Sequence, residues 1–299
     1  MQLATDDSSA DDAKFWERTA AYRRLMRIPV MRRTAKRGLD KLCDARVGRP
    51  ALIAHDLAGQ RVMLDLHTGA DRAIFLNGRG DPRGVGAIER VMSRLNVRMA
   101  WDVGANRGNH SAFMRRWSKH LVAFEPNPVE YQRINDIFRD QAGFDALNIG
   151  LSSTDGALPF YIDHENSGVS TFSIGDKEAN FTAPVRTGDG VAEEHGWTQI
   201  DFMKIDVENH EVEVLRGMRS IITGQRPVIV MEILESDGIS QNTLEFLFPG
   251  YSLFGNKTGF LSKITKSAYS FCRFNDGATY MVALFVPAEK LSLLKDILP

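Results

Sequence analysis

The chain has 299 residues, 43% hydrophobic and 25% charged, with a net charge of −1. That balance is ordinary for a globular protein and supplies no global attraction to nucleic acid; no run approaches the roughly 20 apolar residues of a membrane-spanning helix, and the polar, acidic first dozen residues lack a signal peptide's apolar centre. Two cysteines, Cys43 and Cys272, are too few for a disulfide framework and fit a reducing compartment, so a cytoplasmic protein is expected.

Residues 1–12 are expected to be a disordered tail. Residues 13–47 read as helical, with Pro29 breaking or kinking the run. From Arg18 to Arg37 the chain carries Arg18, Arg23, Arg24, Arg27, Arg32, Arg33, Lys36 and Arg37 and no acid. Tyr22, Leu25, Met26 and Val30 are candidates for an apolar stripe. Two readings stand: peripheral contact with an anionic surface (a membrane face or a polyanionic glycan), or a solvated helix packed at a domain edge. Residues 59–77 read as a β-hairpin whose turn holds Gly69, and 79–84 as a loop. An N-terminal extension over 13–85, a basic helix and a hairpin, therefore precedes a domain over 86–299.

From Ala87 the pattern alternates. Strands are predicted at 99–103, 120–125, 145–150, 200–206 and 227–233, and helices at 87–95, 109–118, 128–140, 209–223 and 240–247. Short apolar runs between helices indicate parallel strands buried on both faces. Val212, Leu215, Met218 and Ile222 follow helical spacing, and Gly224 is placed to end that helix. Tyr251–Phe254 and Thr279–Val286 complete the sheet as a late hairpin. The fold class is α/β, a Rossmann-like, mostly parallel sheet with a late antiparallel hairpin. Val286, Leu291 and Leu294 either cover the core or form a homodimer surface.

Two acidic landmarks carry the chemistry. Trp101-Asp102-Val103-Gly104-Ala105-Asn106-Arg107-Gly108 is an apolar run ending in an acid and then a Gly-rich turn, which brings bare backbone close to a ligand. A dinucleotide fingerprint needs G-x-G-x-x-G, but Asn106 holds the place of the second Gly, so a pyrophosphate loses its closest approach. Glu125 lies 23 residues after Asp102, at the end of the next strand, where an acid accepts both ribose hydroxyls of a nucleoside. Two carboxylates without a phosphate cradle suit a cationic nucleoside, S-adenosylmethionine.

With five motifs in order over about 100–235, the chain resembles the FkbM-type methyltransferases, a branch of the S-adenosylmethionine-dependent family with the class I methyltransferase fold. The motifs are 101–108, Phe124-Glu125-Pro126-Asn127-Pro128, Asn148-Ile149-Gly150-Leu151-Ser152 with Asp155-Gly156, Asp201-Phe202-Met203-Lys204-Ile205-Asp206-Val207-Glu208, and Pro227-Val228-Ile229-Val230-Met231-Glu232-Ile233. The resemblance implies methyl transfer to a hydroxyl oxygen of a sugar or polyketide-like acceptor. It places Asp102, Gly104, Asn106 and Gly108 around the cofactor's methionine part, Glu125 at the ribose, and Asn148 to Ser152 near the adenine. Asn209 departs from the family's Asp-Val-Glu-Gly pattern, although Asn tolerates the left-handed turn that Gly would make.

Asp102, Glu125, Asp206 and Glu232 each end a separate predicted strand, and ligands of an open α/β sheet sit at those carboxyl ends. Asp206 is the first choice for the catalytic or acceptor-orienting group and His210 the second, with Lys204 holding Asp206 ionised. Glu208 and Glu232 face the acceptor, joined by Ser170 and Thr171 of the polar 163–171 loop. A Mg²⁺ on Asp206, Glu208 and Glu232 is the weaker variant, and no metal is assigned. Three rivals remain: methylation of RNA or protein, a non-catalytic nucleoside-binding module, and an NAD-dependent dehydrogenase, which Asn106 disfavours.

Overall fold

The computed structural model describes residues 7–299 except 47, 50, 164–169, 173–177, 233–245, 258–270 and 274–279. The chain divides into two units, Met1–Pro82 and Arg83–Pro299. Among the described residues no helix is long and apolar enough to cross a membrane.

The first unit opens with α1 (Asp7–Leu25), a 3-10 turn at Pro29–Met31, and α2 (Arg32–Asp44). Pro29 has no N–H to continue α1, so the helix is interrupted as its sequence predicts. The expected disordered tail is overturned from Asp7 onward. Acids near a helix N-terminus offset its positive dipole end, and Asp12 also meets Arg46 at 2.8 Å. Residues 1–6 lie outside the described residues.

The expected hairpin is shifted toward the N-terminus. Its strands are β1 (Leu52–Leu57) and β2 (Gln60–Asp65), joined by Ala58 and Gly59 at φ +55° and +88°. Two left-handed residues in a two-residue loop match the twist of paired strands. The run Ala73–Leu76, read as the second strand, is instead inside α3 (Gly69–Asn77). Thr68 decides this: its Oγ1 accepts the Asp71 N–H at 3.3 Å and starts the helix. Ile74, Phe75 and Leu76 are still buried, but along a helix.

The second unit runs α4 (Pro82–Met92), β3 (Val97–Val103), α5 (Asn109–Met114), β4 (Ser118–Phe124), α6 (Pro128–Phe138), β5 (Phe144–Leu147), β6 (Gly150–Leu151), β7 (Gly156–Phe160), β8 (Phe181–Arg186), α7 (Gly188–Glu194), β9 (Phe202–Ile205), α8 (Glu211–Arg216), β10 (Val228–Glu232), β11 (Tyr251–Lys257), β12 (Phe271–Arg273) and β13 (Tyr280–Pro287). The main sheet has the order β12-β11-β13-β10-β9-β3-β4-β5. Strands β10, β9, β3, β4 and β5 are parallel, and β13 is antiparallel to both β10 and β11. This is the Rossmann-like class I methyltransferase arrangement, with the late antiparallel hairpin in place. A second sheet, β6-β8-β7, was not foreseen.

Each central strand is buried on both faces, and the period of two sorts its residues. Trp101, Val103, Met203, Ile205, Ile229 and Met231 enter one core cluster with Val214, Leu215 and Met218. Ala100, Phe202, Val228 and Val230 enter the opposite cluster with Ile88, Val91 and Met92 of α4. Val286 and Leu294 are buried in that second cluster, with Leu291 packed against it, so these residues cover the core.

The long helix expected over 209–223 is broken after Arg216. A Cβ at Gly217 would lie 1.9 Å from the Ser152 carbonyl oxygen, so only Gly fits where the turn crosses that chain. Leu215, Met218 and Ile222 are nonetheless fully buried. A π turn at Ile221–Gln225 follows, and it is closed by Arg226 at φ +54° rather than by Gly224. Of the helix expected at 240–247, residues 240–245 lie outside the described residues.

Candidate active site

The strand order reverses between β3 and β9, and the crevice at such a reversal is where open α/β sheets bind ligands. A cleft of about 150 Å³ opens there, lined by Val103, Gly104, Asn106, Phe124, Glu125, Pro126, Gly150, Leu151, Phe160, Ser170, Phe172, Asp206, Val207 and Glu208.

On one side the backbone is folded back on itself. The N–H groups of Gly104 and Ala105 both donate to the Phe124 carbonyl, at 3.1 and 3.0 Å. Gly104 sits at φ +75°, and a Cβ there would lie 1.9 Å from the Asp206 carbonyl oxygen. Asn106 is itself left-handed at φ +47°. Its N–H donates to Glu125 Oε2 at 2.7 Å, while the Asn127 N–H donates to Oε1 at 2.8 Å. Glu125 is thus clamped by two amides and only 6% exposed. Burial outweighs those two N–H groups and raises its pKa to about 7.

The remaining residues expected at the cofactor hold the cleft from behind. Asn148 Nδ2 donates to the carbonyls of Glu125 and Pro126, at 2.8 and 3.1 Å. Ser152 is 3% exposed and meets His210 Nε2 at 3.0 Å. Gly108 starts α5, away from the lining. Asp102 is fully buried and accepts from Ser111 Oγ at 2.6 Å.

On the other side lies a charge cluster that the sheet register builds. Asp102 and Lys204 are direct partners in the β3–β9 ladder, and Val230 is the partner of Lys204 in β9–β10. Alternation puts Asp102, Lys204, Asp206 and Glu232 on one face of the sheet at its carboxyl rim. Lys204 Nζ is 3.2 Å from Asp102 and 3.3 Å from Asp206, and it donates to the Gly104 carbonyl at 2.6 Å. Burial by itself lowers the Lys204 pKa, but the two carboxylates more than offset this and raise it. Burial likewise pushes Asp206 up, while Lys204 and a hydrogen bond from Glu232 pull it below the ordinary carboxylate range. Glu232 is pushed up to about 9 by burial, by the Asp206 charge and by that same hydrogen bond. The pair therefore holds one proton at neutral pH, carried by Glu232 and donated to Asp206.

A stability prediction follows from Glu232. Its pKa is raised from 4.5 to about 9. The folded state keeps a proton that the unfolded chain gives up, so the stabilising contribution is complete below pH ~4.5 and falls as pH rises through ~9. Glu232→Gln keeps a donor and removes the titration. It should melt with the parent at pH 5 and a few °C above it at pH 8.5, about 1–2 kcal/mol by differential scanning calorimetry.

The acceptor side is partly as expected. Glu208 and Ser170 line the cleft. Thr171 is buried outside the lining, and its Oγ1 donates to the Glu208 carbonyl at 2.5 Å. Glu208 and Asn209 are both left-handed, at φ +52° and +73°, so Asn209 does make the turn that Gly would make. His210 is half-buried against Phe172, with ring centroids 5.0 Å apart, and lies outside the lining. Burial lowers its pKa, so it is neutral at pH 7. Sequence reasoning missed the aromatic wall of Phe160 and Phe172. Its available signal was the alternation within 156–160 and 181–186.

Comparison with known proteins adds three findings. The chain is 33% identical over 134 residues to the hexuronic acid methyltransferase AglP of Haloferax volcanii, covering 44% of this chain and 54% of that protein. It is 30% identical over 176 residues to methyltransferase sdnD of Sordaria araneosa, covering 46% of this chain and 67% of that protein. A crystal structure of methyltransferase FkbM from Methylobacillus flagellatus superposes with TM-score 0.43 at 15% identity, over 64% of this chain and 43% of that one. The chain thus spans about half the length of the first relative. The Methyltransferase FkbM domain matches residues 102–255, just over half of the chain, from Asp102 near the end of β3 to the middle of β11. The chain belongs to the FkbM methyltransferase family.

Proposed function

We propose that the protein is an S-adenosylmethionine-dependent O-methyltransferase whose acceptor is an uncharged hydroxyl on a saccharide or similarly polar small molecule. The observation that carries this reading is the cleft at the carboxyl ends of β3, β4 and β9. It has an amide-clamped carboxylate on one side and an ionised, lysine-paired carboxylate on the other.

The residues suit the cofactor. Glu125 retains lone pairs for ribose hydroxyls after accepting from Asn106 and Asn127. Gly104 and Asn106 bring backbone to the cleft edge, and Leu151, Phe160 and Phe172 give a flat base an apolar wall. When bound, S-adenosylmethionine supplies a methyl on a sulfonium, a leaving group that needs no further activation. The protein must then align the acceptor and give its proton a destination. Asp206 is the ionised acid lining the cleft, with Lys204 fixing its orientation and charge. Asp102 acts from behind by sharing Lys204. Asp206, Glu208 and Glu125 make this rim acidic, so an anionic acceptor oxygen is repelled and a neutral hydroxyl is not. The name of the Haloferax volcanii relative supports a saccharide acceptor, and a hexuronic acid offers neutral ring hydroxyls beside its carboxylate.

Calorimetry tests the reading. S-adenosylhomocysteine should bind, and because Glu125 titrates near pH 7 its affinity should rise severalfold between pH 6 and 8 as the carboxylate forms. Glu125→Gln, which must turn an N–H₂ toward one of the two clamping amides, should bind at least tenfold more weakly and without that pH dependence. Absence of heat with folded protein overturns the proposal. Binding without transfer of labelled methyl to any glycoside hydroxyl would leave only a nucleoside-binding module.

A further inference from the structure

The first unit carries a feature that methyl transfer does not use. Trp16, Ala20, Arg23 and Arg24 of α1, with Arg27 just beyond it, face Leu52–Ala54 of β1 and Phe75 of α3 across a cavity of about 590 Å³. That volume is in the range of ligand pockets. The Arg23 guanidinium lies 5.1 Å from the centre of the Phe75 ring, which holds the cation at the cavity wall. Four acids of the unit are paired with other cations: Asp12 with Arg46, Asp11 with Arg49, and Asp40 and Asp44 with Arg72. The eight cations from Arg18 to Arg37 have no acid among them in sequence. Their charge is left facing outward.

Apolar groups are exposed beside that charge. Val30 is 85% exposed and Ile28 48%, at the corner between α1 and α2 where Arg27 and Arg32 flank them. Leu52, in the cavity wall, is 53% exposed. Met63 is 52% exposed and pairs with Ala54, which puts it on the outer face of the hairpin with Leu52. Ile28 and Val30 stand together between Arg27 and Arg32, and a soluble polyanion would use the arginines but not Val30. An anionic bilayer uses both, since arginines meet headgroup phosphates while short aliphatic side chains enter the acyl boundary.

We propose that the first unit is a peripheral docking surface for membranes rich in anionic phospholipid. The Arg23–Arg27 cavity takes a lipid phosphate, and the Ile28–Val30 corner inserts at the interface.

The test is co-sedimentation of the full chain with phosphatidylcholine vesicles, with and without phosphatidylglycerol. Binding should need phosphatidylglycerol and weaken with added salt. Arg24→Glu with Arg27→Glu should weaken partitioning at least tenfold, from about fivefold per cation. Val30→Asp should also weaken it severalfold, and at so exposed a position its melting curve should match the parent's. No partitioning overturns the proposal, as does equal binding to pure phosphatidylcholine. Loss with the arginine variant but not with Val30→Asp would assign the surface to a soluble polyanion, which heparin binding by the same variants would confirm.

Discussion

Lys204→Met should lower the melting temperature by roughly 10 °C, equivalent to about 3–5 kcal/mol. Lys204 is 3% exposed, and its ammonium is the shared counter-ion of Asp102, which is fully buried, and of Asp206. Methionine fills the same channel but leaves both carboxylates facing each other in a poorly solvated space. The cheapest response is for one of them to bind a proton. That raises its folded pKa above the unfolded value, so stability in the variant is fullest in acid and declines as pH rises. The deficit against the parent should therefore be largest near pH 8 and shrink toward pH 5 in melts followed by calorimetry. A variant that melts within ~2 °C of the parent at pH 8 would show that Lys204 is a bystander to this cluster.

Asp206→Asn should cut methyl transfer by about 10²–10⁴-fold while leaving the affinity for S-adenosylhomocysteine within about threefold. The substitution keeps shape and keeps an oxygen for Lys204, but removes the ionised group that the acceptor's proton can reach. Glu125 and the Gly104–Asn106 turn are untouched, so binding and turnover separate. A second readout checks that the pair is coupled. Without the Asp206 charge, the raised pKa of Glu232 loses one of its causes, so the fall in stability with rising pH should be smaller and end at lower pH. Unchanged turnover would eliminate Asp206 as the proton's destination and return attention to Glu208 in the same cleft.

Much of the framework was readable because its signals are local. Each central strand is a short apolar run ended by an acid or a Gly turn, and these ends lie on one rim once the strands are parallel. Contacts set by register were not readable. Nothing local links Asp102 to Lys204; they meet because β3 and β9 are neighbours with those residues opposite. Nothing local shows that the amide of Asn148, expected near adenine, also donates to two carbonyls of the Glu125 loop. The apolar run Ala73–Leu76 suggests a strand by itself, but the Thr68 cap and Asp71 in the first turn start a helix instead. The β7–β8 pairing was hidden by Pro159 and Pro184, which speak against strands. Pro184 lies one residue before the stretch of β8 paired to β6, so its missing N–H costs that ladder nothing.

The contact between Gly104 and the Asp206 carbonyl has a bearing on redesign. A turn from one strand rests on the peptide of another with no room for a single methyl, so the two loops cannot drift apart independently. Attempts to broaden the range of acceptors by altering the end of β9 would disturb the nucleoside pocket as well. Ser170 and Glu208 border the same opening and take no part in the wall assigned to the base. They are the positions where variation can reshape one half of the cleft and leave the other intact.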